Sequence, residues 1–196
     1  MPANRSVLDV AEKRKKWSDR ISGFKVSSLV FLDESGCNTD MTRRYAYSLG
    51  GGRAVDSVPL SKSKNTTILS SIQMNGTLHY TTFSGGTTAE EFKAYLENDL
   101  LLYLSSDSIL IMDNMKSHHA KAVKALLDNF NVQYVYLPPY SPDLNPIEKL
   151  WSKIKALLRE FKARTVEALP HAIQCAFQVV TQTDCVGWFR SCGYAL

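Results

Sequence analysis

The chain has 196 residues, an apolar share of 44% and a formal net charge of +4. This length suits one α/β domain with a small appendage, and the apolar share excludes a wholly disordered chain. No apolar run approaches the roughly 18 residues needed to cross a bilayer, and the first residues lack the apolar segment of a secretory signal. We therefore expect a cytoplasmic protein without a membrane partner.

The positive charge is concentrated at the start of the chain. Residues 1–25 hold seven basic and three acidic side chains, and this difference of +4 equals the net charge of the whole chain. Residues 8–22 fit either a basic helix with Trp17 on its apolar side or a solvated linker. A nucleic-acid surface would therefore need this arm together with local basic patches.

The four cysteines show no C-x-x-C spacing. Reduced, partly buried thiols in a cytosolic protein are the expected state, rather than a zinc site or disulfides. The residues concerned are Cys37, Cys175, Cys185 and Cys192.

From Val26 onward the pattern changes to that of β-strands. Leu29–Leu32 is an unbroken apolar run, as expected for a strand buried on both faces. Residues 66–73 and 77–83 flank an Asn-Gly pair, which is a strong hairpin signal. Residues 44–49 form a further, short extended candidate.

The second half alternates between helices and strands. Two overlapping capping boxes at Thr87 and Thr88 predict a helix that follows the hairpin. Further predicted elements are a strand at 109–112, a helix at 118–130, a strand at 132–137, a helix from 145 and one or two helices over 165–192. With the 44–49 candidate set aside, the order resembles that of a ribonuclease-H-like α/β fold with a mixed five-stranded sheet flanked by helices.

Three acidic residues stand at the ends or starts of predicted elements. Asp33 and Asp113 each follow a buried strand, and Glu148 lies in the first turn of a helix that opens after a proline-rich loop. These positions can meet at one edge of a sheet, where three anions repel each other unless cations neutralise them. Paired divalent ions roughly 3.5–4 Å apart catalyse in-line displacement at phosphorus. The sequence thus favours metal-dependent phosphodiester chemistry on nucleic acid.

Each of these acids also has a purely local interpretation. Asp33 and Glu34 point to opposite faces of a strand, so only one of them is expected in the site, and we favour Asp33. Asp113 could cap the following helix. With Asn145 as N-cap, Glu148 falls at N3 and could act as a capping side chain. His118 either orients the site or contacts phosphate, or is a locally bonded residue at a helix start.

Three motifs carry a resemblance to a known family. They are Phe31-Leu32-Asp33-Glu34-Ser35-Gly36, Met112-Asp113-Asn114 with Ser117-His118, and the run from Leu137-Pro138-Pro139-Tyr140 to Asn145-Pro146-Ile147-Glu148. The chain resembles the catalytic domain of bacterial insertion-sequence transposases of the mariner-like superfamily, which are DDE enzymes. The 34 residues between Asp113 and Glu148 are the spacing of that bacterial branch, and the resemblance covers roughly residues 26–194.

The resemblance implies a function and a set of site residues. Asp33, Asp113 and Glu148 would be the catalytic triad and would hold two Mg²⁺ ions, for which Mn²⁺ can substitute. The implied reaction is nicking of DNA at transposon ends, followed by strand transfer into target DNA. Glu34, Asn114 and His118 are candidate supports of the site. Candidate DNA contacts are Arg43, Arg44, Lys62, Lys64, Lys116, Lys149 and Lys153.

The resemblance also predicts organisation and partners. We expect a basic arm at 1–25, a catalytic domain at 26–164 and a helical extension at 165–196 packed on the same domain. Full-length relatives carry helix-turn-helix modules before the catalytic domain, whereas about 25 residues precede the first strand here. The chain is then the downstream half of a two-frame element, a fragment or a decayed copy, and a separate N-terminal DNA-binding subunit becomes a possible partner.

A homodimer or higher assembly, associated with a bacterial nucleoid, is the expected state. Two other functions fit the same residues less well. One is a ribonuclease-H-like nuclease acting on RNA–DNA hybrids, and the other is a truncated, non-catalytic transposase that binds DNA as a regulator.

Overall fold

A computed structural model describes residues 3–43, 45–57, 59 and 65–194. Within this part, five strands form one sheet in the order β3-β2-β1-β4-β5. The strands are β1 (Leu29–Cys37), β2 (Thr66–Ile72), β3 (Leu78–Ser84), β4 (Ile109–Met112) and β5 (Gln133–Tyr136). The first three pair antiparallel, while β1, β4 and β5 run parallel. The predicted α/β fold with a mixed five-stranded sheet is confirmed.

Helices cover both faces of this sheet. They are α1 (Ala3–Ile21), α2 (Ala89–Tyr95), α3 (Lys121–Asn129), α4 (Ile147–Phe161), α5 (Leu169–Gln178) and α6 (Gln182–Ser191). Among the described residues, no helix is both long and apolar enough to span a membrane.

Alternation along β1 divides the core into two layers. Leu29 and Phe31 lie in a cluster with the buried faces of α4, α5 and α6. Val30 and Leu32 face the opposite way and pack with residues of α2 and α3. Because side chains alternate along a strand, Asp33 continues toward the α4 side and Glu34 toward the α2–α3 side.

Strand β1 is longer than its apolar run predicts. It continues past Asp33 to Cys37, because β2 pairs with it from Phe31 opposite Ile72 to Cys37 opposite Thr66. These ladder hydrogen bonds outweigh the weak strand preference of a polar, glycine-containing segment. Asp33 therefore lies inside β1. It is also the first residue of β1 that has no partner on the neighbouring β4, because β4 ends opposite Leu32.

Of three other local predictions, the hairpin is confirmed, the cap of α2 is narrowed to one residue, and the strand candidate at 44–49 is wrong. The hairpin between β2 and β3 is confirmed, with Gly76 in the turn at a φ of 90°. Thr88 rather than Thr87 caps α2, through a capping box with Glu91. The strand candidate at 44–49 is wrong for its described part, since 45–48 form no strand and Leu49–Gly51 is a tight turn with Gly50 at a φ of 71°.

The terminal segments pack on the same core as α4. Trp17 of α1 is only 5% exposed and belongs to the layer that contains α4–α6, so the helical interpretation of the arm holds. At the other end, the Phe189 ring of α6 lies 5.3 Å from the Phe31 ring of β1. The domain boundaries after residues 25 and 164 stay predictions. The four cysteines are free thiols, as expected.

Candidate active site

The three predicted acids line one open cleft of about 570 Å³ at the edge of the sheet. Leu32 pairs with Met112, where β4 ends, so the residues that follow them, Asp33 and Asp113, are neighbours. Glu148 enters from the first turn of α4. Three separate elements therefore bring their carboxylates to one place, which we call the acidic cleft.

Asp33 is the most deeply placed of the three acids, with 8% of its surface exposed. Its Oδ1 accepts a hydrogen bond from the backbone N–H of Glu34 at 2.8 Å, and its Oδ2 accepts one from the indole Nε1 of Trp151 at 3.2 Å. Burial, together with the negative charges of Asp113, Glu34 and Glu148, raises the pKa of Asp33 to about 7. The charges of the acids thus act on each other, and a cation in the cleft would relieve their repulsion.

Two hydrogen-bond donors, His118 and the Met115 backbone, stabilise the ionised carboxylate of Asp113. Burial alone would raise its pKa, but hydrogen bonds from His118 and from the Met115 backbone outweigh that effect, and the pKa is lowered. The distances are 2.8 Å from Nδ1 of His118 and 2.9 Å from the N–H of Met115. A capping role is wrong, because α3 begins only at Lys121.

His118 joins the two strands that carry the acids. It is fully buried against the Phe92 ring, and its Nε2 donates to Oε2 of Glu34 at 3.2 Å while its Nδ1 donates to Asp113. Burial opposes protonation, yet the two carboxylates raise the pKa of His118 to about 9. His118 lies in the turns that precede α3 rather than in the helix itself. Its part in orienting the site stays a prediction.

Glu34 also lines the acidic cleft, which corrects the expectation that only one of the neighbouring acids could do so. Glu34 does point to the opposite face of β1, where it meets His118. Because β4 ends at Met112, the sheet edge is open there and both residues reach the cleft. The Oε1 of Glu34 is buried without a hydrogen-bond partner among the described residues.

Glu148 does not act as a cap. The N-cap of α4 is Pro146, one residue later than predicted, and proline has no N–H for a glutamate to accept from. The Oδ1 of Asn145, predicted as the capping atom, is buried without a partner in the described part of the chain. Glu148 is exposed to the cleft, and no described residue pairs with its carboxylate.

The loop at 138–146, here called the proline loop, is held at both ends. At its start, the side-chain amide of Asn114 donates to the carbonyl of Leu137. Near its end, Arg14 of α1 donates to both carboxylate oxygens of Asp143, at 2.9 and 2.5 Å, and to Ser141 Oγ at 2.9 Å. These contacts fix the segment that leads into Glu148.

Two of these supporting residues escaped the sequence analysis. Trp151 reads as one more apolar residue on the buried face of α4, and the only signal was that a buried indole N–H needs an acceptor. Arg14 lies 129 positions from Asp143, and nothing in the sequence pairs the two. Both act across elements, so local patterns cannot show them.

The predicted DNA contacts fall into three groups. Arg43 forms an ion pair with Glu160 at 3.0 Å, and Lys153 forms one with Asp184 at 2.6 Å that fixes α4 to α6. Lys116 and Lys149 are exposed and form no ion pair with a described residue. The remaining candidates, Arg44, Lys62 and Lys64, lie outside the described residues. A role of the first four in DNA binding stays a prediction.

The acidic cleft contains suitable oxygen ligands for divalent ions, but these ligands are not close enough to each other to coordinate one ion. Carboxylate oxygens are the ligands that Mg²⁺ and Mn²⁺ prefer. Within the described ranges, however, no three His, Cys, Asp or Glu residues converge closely enough to hold a metal ion. Of the three acids, Glu148 is the one that is exposed and that no described residue pairs with.

Comparison with known proteins decides the family. The family model described as DDE superfamily endonuclease matches residues 28–170, well over half of the chain. The chain belongs to the DDE superfamily of endonucleases. No curated protein sequence matches this DDE endonuclease domain significantly.

Solved structures show the same fold. A pre-cleavage Mos1 transpososome matches with a TM-score of 0.73 at 20% identity, over 93% of this chain and 57% of that chain. A Mos1 mariner paired-end complex with Mg matches with a TM-score of 0.70 at 19% identity, over 94% and 57%. The Mos1 catalytic domain alone matches with a TM-score of 0.66 at 19% identity, over 93% and 84%. This DDE endonuclease domain thus has the fold of the Mos1 catalytic domain and spans little more than half of the chains in the larger complexes.

Proposed function

We propose that this chain is the catalytic domain of a DDE transposase that cleaves DNA at transposon ends and transfers the resulting strand into target DNA. The observation that carries the proposal is that Asp33, Asp113 and Glu148, from three separate elements, line one cleft. Membership of the DDE endonuclease superfamily and the fold shared with Mos1 transposase support it.

In this proposal each residue has a distinct part. Asp33, Asp113 and Glu148 would hold two divalent ions, Mg²⁺ or Mn²⁺, whose chemistry is Lewis-acid activation of the phosphodiester and of the attacking water or 3′-hydroxyl. His118 keeps Asp113 ionised and oriented, and Trp151 fixes Asp33. Glu148 turns into the cleft from the start of α4. The remaining task of the protein is to position the DNA and neutralise its charge.

The partners are proposed from the same reasoning. DNA, as transposon ends and target, is the substrate, and a homodimer or higher assembly is the working form. A separate N-terminal DNA-binding subunit is a further proposed partner. A bacterial source and a nucleoid location stay predictions.

A strand-transfer assay tests the proposal. Pre-nicked duplex ends with a free 3′-hydroxyl are incubated with supercoiled plasmid and Mg²⁺ or Mn²⁺. We expect plasmid nicking and joined products from the wild type and neither from Asp113→Asn. Asp128→Asn, at an exposed position of α3, is the matched control for loss of one carboxylate, and we expect it to retain activity.

The alternative functions give different results in that assay. With an RNA–DNA hybrid added as a further substrate, cleavage restricted to that hybrid would identify a ribonuclease-H-like nuclease. DNA binding without metal-dependent turnover would identify a regulatory fragment. Equal activity of Asp113→Asn and wild type would remove Asp113 from the catalytic set.

A further inference from the structure

A second groove, of about 380 Å³, lies between α1 and the segment that runs from β5 into the proline loop. Three cations of α1, Lys13, Lys16 and Arg20, line one side, and no acidic residue is among the described residues of the lining. We call it the basic groove. It is distinct from the acidic cleft in charge.

The two depressions adjoin each other. Asn114, Leu137, Pro138 and Pro139 line both the acidic cleft and the basic groove. The two depressions therefore lie side by side, so a DNA strand held in the acidic cleft is next to the basic groove.

The fold holds α1 where these cations can act. Trp17 is buried in the core, and Lys13, Lys16 and Arg20 lie on the same side of the helix at i−4, i−1 and i+3 from it. On the other flank of Trp17, Arg14 is tied to Asp143 of the proline loop. The helix is thereby anchored to both the core and the wall of the cleft.

The spacing of the cations suits a phosphate backbone. Lys13 and Arg20 are seven positions apart on α1, a rise of about 10 Å. One strand of DNA advances about 3.4 Å along the duplex axis per phosphate, so this rise corresponds to about three phosphate steps measured along that axis. The three cations can thus follow one strand.

The existing ion pairs do not prevent this contact. Lys13 pairs with Asp9 and Lys16 with Glu12, each at 2.7 Å, but all four side chains are at least half exposed. Pairs of this kind are weak in water, so a row of phosphates can compete for the lysines. Arg20 is exposed and has no ion pair within the described residues.

We infer that the basic groove binds the phosphate backbone of the DNA strand that flanks the phosphodiester held in the acidic cleft. Lys13, Lys16 and Arg20 contact successive phosphates and carry no base preference. This inference rests on the proposed function, because it takes DNA to be what occupies the acidic cleft. It makes α1 part of the DNA-binding surface rather than a tether.

The test compares two single charge removals on the same helix. Arg20→Ala removes a cation that lines the groove, and Lys15→Ala removes an exposed cation of α1 that does not line it. Binding of a mixed-sequence DNA duplex is measured by fluorescence anisotropy in EDTA over a range of salt concentrations. We expect Arg20→Ala to weaken binding and to reduce the salt slope by about 1, the change for one lost phosphate contact. Lys15→Ala leaves both quantities near wild type.

Further variants and the plasmid-nicking assay distinguish a failure of the basic groove from a failure of the proposed function. Lys13→Ala and Lys16→Ala should each act as Arg20→Ala does, and thermal melting confirms that all variants are folded. The inference is overturned if Arg20→Ala and Lys15→Ala have equal effects or if neither has an effect. It is also overturned if the wild type does not bind DNA or prefers duplex RNA. If the groove variants lose binding while the wild type never nicks plasmid, the groove stands and the proposed chemistry fails. If plasmid is nicked and the variants bind normally, only the groove fails.

Discussion

At the scale of single residues, the state of the acids depends on neighbours that are not acids themselves. The Trp151 indole, which donates to Oδ2 of Asp33 at 3.2 Å, is the clearest case because it does so from the helix that also carries Glu148. This hydrogen bond therefore joins Asp33 to the helix that carries Glu148.

Trp151→Phe should weaken divalent-ion binding while the core remains packed. A hydrogen bond to a charged group contributes about 1.5 kcal/mol, which corresponds to about a tenfold loss of Mn²⁺ affinity. Titration calorimetry measures this loss. Trp188→Phe on α6, whose indole has no hydrogen-bond partner among the described residues, is the matched control and should bind Mn²⁺ as wild type does. Unchanged affinity in Trp151→Phe would show that the indole only fills space.

The raised pKa of Asp33 predicts a pH-dependent stability in the absence of metal. Its pKa is about 7 in the folded protein against an ordinary value of 3.8, so folding favours the protonated form. The stabilisation from this proton is fully present below pH 3.8 and is lost as the pH rises through about 7. Ionised Asp33 thus destabilises the metal-free protein at pH 8.

Asp33→Asn should therefore be more stable than wild type in EDTA at pH 8. We expect its melting temperature to be higher by at least about 3 °C, which corresponds to about 1 kcal/mol for a chain of this size. The difference should shrink at pH 5, where wild-type Asp33 is protonated. Calorimetry at both pH values, with Asp128→Asn as the control for loss of a carboxylate, measures it. A difference that is the same at pH 5 and pH 8 would contradict the assigned environment.

At the scale of elements, the contact between α1 and the proline loop holds the segment that leads into Glu148. Arg14→Ala removes the bidentate pair with Asp143 and the bond to Ser141. We expect slower DNA cleavage with a melting temperature close to wild type, because a largely exposed ion pair contributes at most about 1 kcal/mol. The loop would then position Glu148 less well.

A charge exchange provides the control for that variant. The double variant Arg14→Asp with Asp143→Arg restores the pair with reversed direction and should recover part of the cleavage rate. Lys15→Ala, one position along α1, changes the same net charge without touching the loop. If the exchanged pair is no faster than Arg14→Ala, the pair does not position the loop.

The elements themselves were predictable wherever a local pattern determines them. The apolar runs of β1 and β4, the Asn-Gly hairpin and the capping box at Thr88 all depend on neighbours within a few residues. The extension of β1 to Cys37 was not predictable from such patterns, because its hydrogen bonds come from β2, whose first residue, Thr66, lies 29 positions after Cys37. The start of α4 was predicted one residue early, since Pro146 rather than Asn145 occupies the N-cap.

At the scale of the whole molecule, the sequence predicts the meeting of the acids but not the groups that hold them. Asp33, Asp113 and Glu148 could be placed at one sheet edge from the order of strands and helices. The link from Glu34 through His118 to Asp113, and that from Trp151 to Asp33, join elements far apart in sequence, and no spacing rule reveals them. The basic groove likewise exists only because α1 folds back against the proline loop.

A crystal structure of the wild type soaked with Mn²⁺ tests the central claim most directly, because anomalous scattering locates the ion without ambiguity. The account predicts anomalous peaks in the acidic cleft, with carboxylate oxygens of Asp33, Asp113 and Glu148 as ligands and the side chain of Glu148 turned inward. Anomalous peaks only elsewhere on the protein, or a cleft ion that leaves Glu148 pointing away, would contradict it.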